Sequence, residues 1–288
     1  MRWLCAPAKI NLSLRVIGRR SDGLHEIESL VAFADVCDWV GYERGRGLEL
    51  KLEGPGAADT GRLENNLIVR AAQALADRVP GLTHGRFRLV KRLPVAAGIG
   101  GGSADAAAAL LMLADANGLP AQDGRLLAAA AEVGADVPVC LFSRARMMSG
   151  VGDRLGPPVE LPEVFALLVN PRVAAPTPDV FAALGLAPGS NMPFRGEPIF
   201  VPGSNAGITF EALALCRNDL EPAALRIAPA IEPALERLSR LPGVMASRIS
   251  GSGATCFALF DTSANAAAAH RRIVAEQPHW WVKLVGLR

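Results

Sequence analysis

The sequence predicts a two-domain protein of mixed helices and strands, and three observations lead there. The chain has 288 residues, enough for one large domain or two modest ones. Half of its residues are hydrophobic, ample material for real cores. Segments with the two-residue period of strands are interspersed with segments that read as helices, and the texture changes midway along the chain. The boundary falls near 155–165, which gives domains 1–160 and 161–288.

The elements follow in order. "KINLSLRV" sets Ile10, Leu12, Leu14 and Val16 on one face and Lys9, Asn11, Ser13 and Arg15 on the other, the pattern of a half-buried strand. "GRRSDG" turns the chain, and "IESLVAFADV" reads as a second extended stretch. Residues 64–79, "ENNLIVRAAQALADRV", read as a helix ended by Pro80 and Gly81. The strand "RFRLVKRL" leads into "PVAAGIGGGSADAAAALL", Pro94 to Leu111, with four glycines within five residues. Ser103 is the predicted N-cap of a helix running to about Asn117, with Gly118 and Pro120 as stop signals. A further helix covers about 125–133 and ends at Gly134. Frequent proline and glycine between about 171 and 207 read as a loop-rich connection. Helices follow around 209–216 and 221–239, then a strand containing "ASRISGSGATCFALF", then a final helix and strand.

Composition excludes several classes. Net charge is +2, no basic run occurs and aromatics are few, which argues against a nucleic-acid partner. The five cysteines (Cys5, Cys37, Cys140, Cys216, Cys256) stand singly without CxxC spacing. They are expected to be reduced thiols of a cytoplasmic protein, neither a disulfide frame nor a zinc site. The longest apolar stretches fall short of the roughly 18–20 residues that a membrane span needs. Lys9 and Asn11 interrupt any apolar run in "MRWLCAPAKINLSL", so that segment is expected to be a strand and not a secretion signal.

The glycine loop carries the chemistry. Glycines let the backbone approach a ligand closely, and amide hydrogens feeding a helix amino terminus make an anion site, for which phosphate is the natural occupant. The plainer alternative is a flexible turn. No lysine follows Gly102, as a Walker loop would require, and Ser103 stands where the dinucleotide fingerprint needs its last glycine. The protein-kinase set is missing as well. A third kind of phosphate loop is needed.

"PVAAGIGGGSADAA" resembles the phosphate-loop signature of the GHMP kinases, small-molecule kinases named for galactose, homoserine, mevalonate and phosphomevalonate. The resemblance extends in order through "PAKINLSLRVIGRRSDGLHEI" (Pro7 to Ile27), "NNLIVRAA" (Asn65 to Ala72), "GADVPVCLF" (Gly134 to Phe142), "NDLE" (Asn218 to Glu221) and "SGSGATCFALF" (Ser250 to Phe260). It is strongest to a branch acting on a cytidyl-bearing alcohol. It implies an α+β fold, with an amino-terminal domain like the second domain of ribosomal protein S-five and a ferredoxin-like carboxyl-terminal domain. It further implies ATP as phosphoryl donor, Mg2+ held mainly through phosphates and water with no side-chain metal site, and a small-molecule substrate. No nucleic-acid or membrane partner is expected, and the chain is expected to be a monomer or weak homodimer. The rivals are another GHMP kinase, acting on mevalonate, homoserine or a sugar, and a non-catalytic nucleotide sensor on the same fold.

Residue by residue, the resemblance places the nucleotide on Pro94, Val95, Ala96, Ala97, Gly98, Ile99, Gly100, Gly101, Gly102, Ser103 and Ala104. Asn65 matches a position near the nucleotide, or else caps the helix that follows. Asp136 is implied as the base that takes the proton of the attacking hydroxyl, and Lys9 as the cation paired with it. Asn11 and His25 are the substrate-binding positions. A neutral imidazole suits a cytosine edge because it offers one donor and one acceptor. Relatives often carry a tyrosine where Leu24 stands here, and Phe181 is a candidate aromatic face for the base. "SGSGA", Ser250 to Ala254, is expected to line the active-site cleft, or else to form a tight turn.

Overall fold

The computed structural model describes residues 1–193 and 208–288; the rest of the proline-rich connection, 194–207, lies outside the described residues. The chain forms, in order, β1 (Arg2–Asn11), β2 (Arg15–Arg19), β3 (His25–Arg44), β4 (Leu48–Glu53), α1 (Leu67–Ala76), β5 (Gly85–Val90), α2 (Gly101–Ala116), α3 (Gly124–Val133) and α4 (Val137–Phe142). It continues with β6 (Arg146–Gly150), β7 (Arg154–Pro158), β8 (Phe165–Asn170), α5 (Thr177–Ala182), α6 (Phe210–Leu215), α7 (Glu221–Ile227) and α8 (Glu232–Ser239). It ends with β9 (Val244–Ile249), β10 (Cys256–Phe260), α9 (Ser263–Glu276) and β11 (Trp281–Gly286). Two compact units result. One comprises Met1–Lys9, Val36–Val95 and Gly100–Ser143; the other comprises Ile10–Asp35, Ala96–Ile99 and Arg144–Arg288.

In the first unit the later half of β3 pairs antiparallel with β5, from Trp39 opposite Val90 to Arg44 opposite Gly85. β5 pairs in parallel with β4. Helices α1, α2, α3 and α4 pack on one another. The reason lies in α2, where residues 104–110 are all buried and mostly alanine, so neighbours on several sides approach its backbone closely. Ile68, Leu75, Phe87, Leu89, Leu110 and Leu126 fill the core. Each such side chain contributes about 1.5–3 kcal/mol by leaving water.

In the second unit the first half of β3 pairs with β2 and with β6, and β6 pairs with β7, all antiparallel. A separate antiparallel sheet runs β11-β8-β10-β9. Counted from β8, that is the order fourth, first, third, second, with α8 and α9 packed on it: the ferredoxin-like arrangement. β10 is wholly buried, and Phe257 and Phe260 are among the largest buried side chains.

The α+β class and the ferredoxin-like sheet match expectation, and several local readings are corrected. "KINLSLRV" is two strands broken after Asn11, and its polar face is not wetted, for Lys9 and Asn11 are both buried. The helix expected over 64–79 is shorter. A 3-10 turn occupies Leu63–Asn65, and Asn66 caps α1 by accepting the Ile68 N–H at 3.0 Å. Such a cap is worth about 1 kcal/mol. The helix expected over 221–239 breaks into α7 and α8 at a turn containing Pro229, whose ring cannot continue a regular helix. "ASRISGSGATCFALF" is a hairpin, β9 and β10, with its glycines in the turn.

The thiol expectation also falls in part. Cys5 and Cys37 form a disulfide, while Cys140, Cys216 and Cys256 are free and buried. β1 pairs with β3, which brings the two Cα atoms to 5.8 Å, a bridging distance that a sequence separation of 32 conceals.

Candidate active site

The glycine loop enters from β5 and leaves through α2. Gly100, not Ser103, is the N-cap of α2, with φ of 60°, and the helix begins at Gly101. Glycine is needed there because a Cβ would sit 3.2 Å from the Lys9 side chain, in a left-handed conformation besides. Ser103 therefore lies inside the first turn. The Ala104 N–H is used within the helix, donating to Gly100 O at 2.8 Å. The N–H groups of Gly101, Gly102 and Ser103 precede any intrahelical partner and are the donors a phosphate would meet.

The middle of the loop is held in the second unit. Thr255 N–H donates to Ala97 O at 3.1 Å, and Ser250 Oγ donates to Gly98 O at 3.0 Å. Gly98 has φ of 72°, and a Cβ there would fall 2.4 Å from Ser250 O. "SGSGA" is thus the turn joining β9 to β10, and it shapes the glycine loop by backing against Ala97 and Gly98. Ser250 Oγ also accepts the Asn11 N–H at 3.1 Å. The Asn11 side chain donates to Ser29 Oγ at 2.7 Å, and its Oδ1 is buried without a partner.

Lys9 and Asp136 meet in the first unit. The Lys9 ammonium lies 2.8 Å from Asp136 Oδ2; the lysine side chain is 5% exposed and the aspartate 32%. Asp136 occupies the N-cap position of α4, yet its side chain makes no cap hydrogen bond. Capping is therefore not the role of this carboxylate. It is a partly open carboxylate beside a buried cation whose stem runs past the start of α2.

His25 and Phe181 are brought together in the second unit. Their ring centroids are 4.7 Å apart at 34°, so Phe181 packs on the imidazole itself. Burial, aided by the Arg19 guanidinium, lowers the His25 pKa below its ordinary value and favours the neutral ring. Leu24 is 52% exposed. Asn65 ends the 3-10 turn, and capping belongs to its neighbour Asn66.

Sequence reasoning missed one cluster. Lys91, read only as part of a strand, pairs with Asp38 and with Asp105 in the interior. The sole signal was a charge at each of three positions that buried elements ought to fill with apolar side chains. No group of three His, Cys, Asp or Glu residues able to hold a metal occurs among the described residues. No described helix is long and apolar enough to cross a membrane.

A glycine loop opening onto a helix, with a lysine–aspartate pair at its foot, defines a small-molecule kinase. The family models agree: residues 66–144 match the GHMP kinases N terminal domain and residues 208–279 match GHMP kinases C terminal, and the chain belongs to the GHMP kinase family. Among its relatives, 4-diphosphocytidyl-2-C-methyl-D-erythritol kinase of Xanthobacter autotrophicus is 54% identical over 289 residues, covering 98% of each chain. The Rhodopseudomonas palustris protein of the same name is 51% identical over 282 residues, covering 96% of this chain and 94% of that one. A crystal structure of 4-(cytidine 5'-diphospho)-2C-methyl-D-erythritol kinase superposes with a TM-score of 0.77 at 33% identity, covering 99% of both chains. Homoserine kinase from Cytophaga hutchinsonii, at 18% identity and a TM-score of 0.67, shares the fold.

Proposed function

We propose that this kinase transfers the γ-phosphate of ATP to the 2-hydroxyl of 4-diphosphocytidyl-2-C-methyl-D-erythritol, a step in non-mevalonate isoprenoid precursor synthesis. The observation that carries the chemistry is the uncapped Asp136 carboxylate, ion-paired to buried Lys9 at the foot of the glycine loop. The substrate follows from relatives of that name matching along nearly the whole chain. Asp136 accepts the hydroxyl proton as the oxygen attacks the γ-phosphorus, and the bond from phosphorus to the β–γ bridging oxygen breaks, releasing ADP. Lys9 holds the carboxylate in place and offsets negative charge near the transferring group. The N–H groups of Gly101, Gly102 and Ser103 hold the phosphates. Mg2+ bound with ATP would supply countercharge to the phosphates, which those N–H groups would hold from the protein side. We place the reaction in the cytoplasm, carried out by a monomer or weak homodimer. ATP-dependent phosphorylation of this alcohol, mevalonate, homoserine and galactose tests the reading. Turnover of the first alone supports it, and turnover of another instead removes the substrate assignment.

His25 reads the cytosine edge in this proposal, with Phe181 holding its ring in place. Because its pKa lies below the ordinary imidazole value of 6.5, protonation sets in only at lower pH. The KM for the cytidyl substrate should therefore be flat above that value and rise below it. His25→Ala should raise this KM about tenfold, the worth of one hydrogen bond, and abolish the acid rise. An unchanged KM in that variant contradicts the role.

A further inference from the structure

Outside the catalytic pair, the first unit buries a second group of charges. The Lys91 ammonium, just after β5, sits 2.7 Å from Asp105 Oδ2 of α2 and also contacts Asp38 Oδ2 of β3. The three side chains are 4%, 4% and 0% exposed. Asp38 Oδ1 accepts the backbone N–H groups of Arg92 and of Leu93, the latter at 2.8 Å. Those residues stand immediately before Pro94, where the glycine loop begins, and Asp105 stands one turn inside the helix where it ends. Gly101 lies over the centre of the cluster: a Cβ there would be 3.2 Å from Lys91 Nζ and 3.7 Å from Asp38 Oδ2.

This arrangement is costly as a stabilising device. Two carboxylates share one ammonium out of water, and apolar residues of similar volume would commonly do as well or better. Asp105 Oδ1 is buried with no partner. Removing Asp105 would leave a balanced Lys91–Asp38 pair. What its carboxylate adds is a tie between the two flanks of one loop.

We propose that Asp105 is a positioning residue for the nucleotide phosphates: through Lys91 and Asp38 it fixes the loop's entry at Arg92–Leu93 against its exit at Gly101. The inference rests on the reading of this loop as the ATP phosphate cradle. A loop tied at both ends presents its N–H groups in place before the ligand arrives, and less ordering is left for binding to supply. The cluster also sets a charge beneath an anion site. Burial pushes Asp105 up to about 7, against the pull of Lys91 and with help from Asp38. The other titratable group near it is the Cys140 thiol of α4, which also faces Asp136 and Lys9 and which burial keeps protonated. Below about 7 Asp105 is protonated and the cluster neutral; above it the cluster carries a net negative charge that opposes ATP.

The test is the KM for ATP, the KM for the alcohol and kcat in wild type, Asp105→Ala and Asp105→Asn, near pH 6 and near pH 8. Asp105→Ala should raise the KM for ATP about tenfold or more, with kcat and the alcohol KM changed less than about threefold. Asp105→Asn keeps an oxygen for Lys91 but cannot ionise. Its KM for ATP should match wild type near pH 6 and fall below wild type near pH 8. An unchanged KM for ATP in Asp105→Ala overturns the inference, as does an equal loss in all three constants. If Asp105→Ala does not fold, Asp105→Asn decides: a ratio of its KM for ATP to that of wild type that is the same at both pH values overturns it. If wild type itself makes no use of ATP, the phosphate-loop reading falls first and this inference falls with it.

Discussion

Asp136→Asn should lower kcat by about 10³-fold while leaving both KM values within a few-fold, because the base is lost and binding is not. The amide is the informative replacement. Alanine would strip the partner from an ammonium that is only 5% exposed, and an unpaired buried charge costs stability in its own right. Asparagine keeps an oxygen for Lys9 while removing the charge and the capacity to take a proton. Since Asp136 makes no cap hydrogen bond to α4, its folding role runs through Lys9, and the thermal midpoint should fall less in this variant than in Asp136→Ala. A kcat within tenfold of wild type would show that this carboxylate is not the base.

Gly98→Ala should be severely damaging. Its Cβ would lie 2.4 Å from Ser250 O and 2.6 Å from Gly253 O, both backbone atoms that cannot swing aside. The residue also has φ of 72°, which costs an L side chain roughly 1–2 kcal/mol before any clash. Overpacking adds about 1–3 kcal/mol, so the total is roughly 2–5 kcal/mol. Thermal unfolding should shift down by about 4–20 °C, and the KM for ATP should rise as the loop is pushed from the 250–254 turn. Gly61→Ala is the control. It has nearly the same φ, 73°, but nothing within 4 Å, so it should cost only the backbone strain. Equal losses in the two variants would remove the packing argument.

Much of this molecule was legible where chemistry is local. The glycine run, the strand before it and the helix after it are written in consecutive residues, whereas the ferredoxin-like sheet, whose β8 pairs with the distant β10 and β11, was implied by the family resemblance alone. The helix start was misplaced by three residues because Ser103 is a good cap by type, whereas the true cap is set by Lys9 passing under Gly100. Chain-distant contacts account for the other misses. The Cys5–Cys37 link and the Asp38–Lys91–Asp105 cluster join residues that periodicity treats separately. Strand alternation alone could not say whether Lys9 and Asn11 faced water or a site, because it records polarity only; the family resemblance turned them inward, and both are buried. Phe181, expected as a face for the base, packs on His25, the residue expected to read the base edge.

The most direct measurement is ³¹P NMR of 4-diphosphocytidyl-2-C-methyl-D-erythritol incubated with wild-type protein, ATP and Mg2+. A new phosphomonoester signal coupled to the 2-position, growing in step with ADP and missing with Asp136→Asn, is the predicted result. ADP formed without that signal, or a phosphate placed on a different hydroxyl, would contradict the assignment of this site to this alcohol.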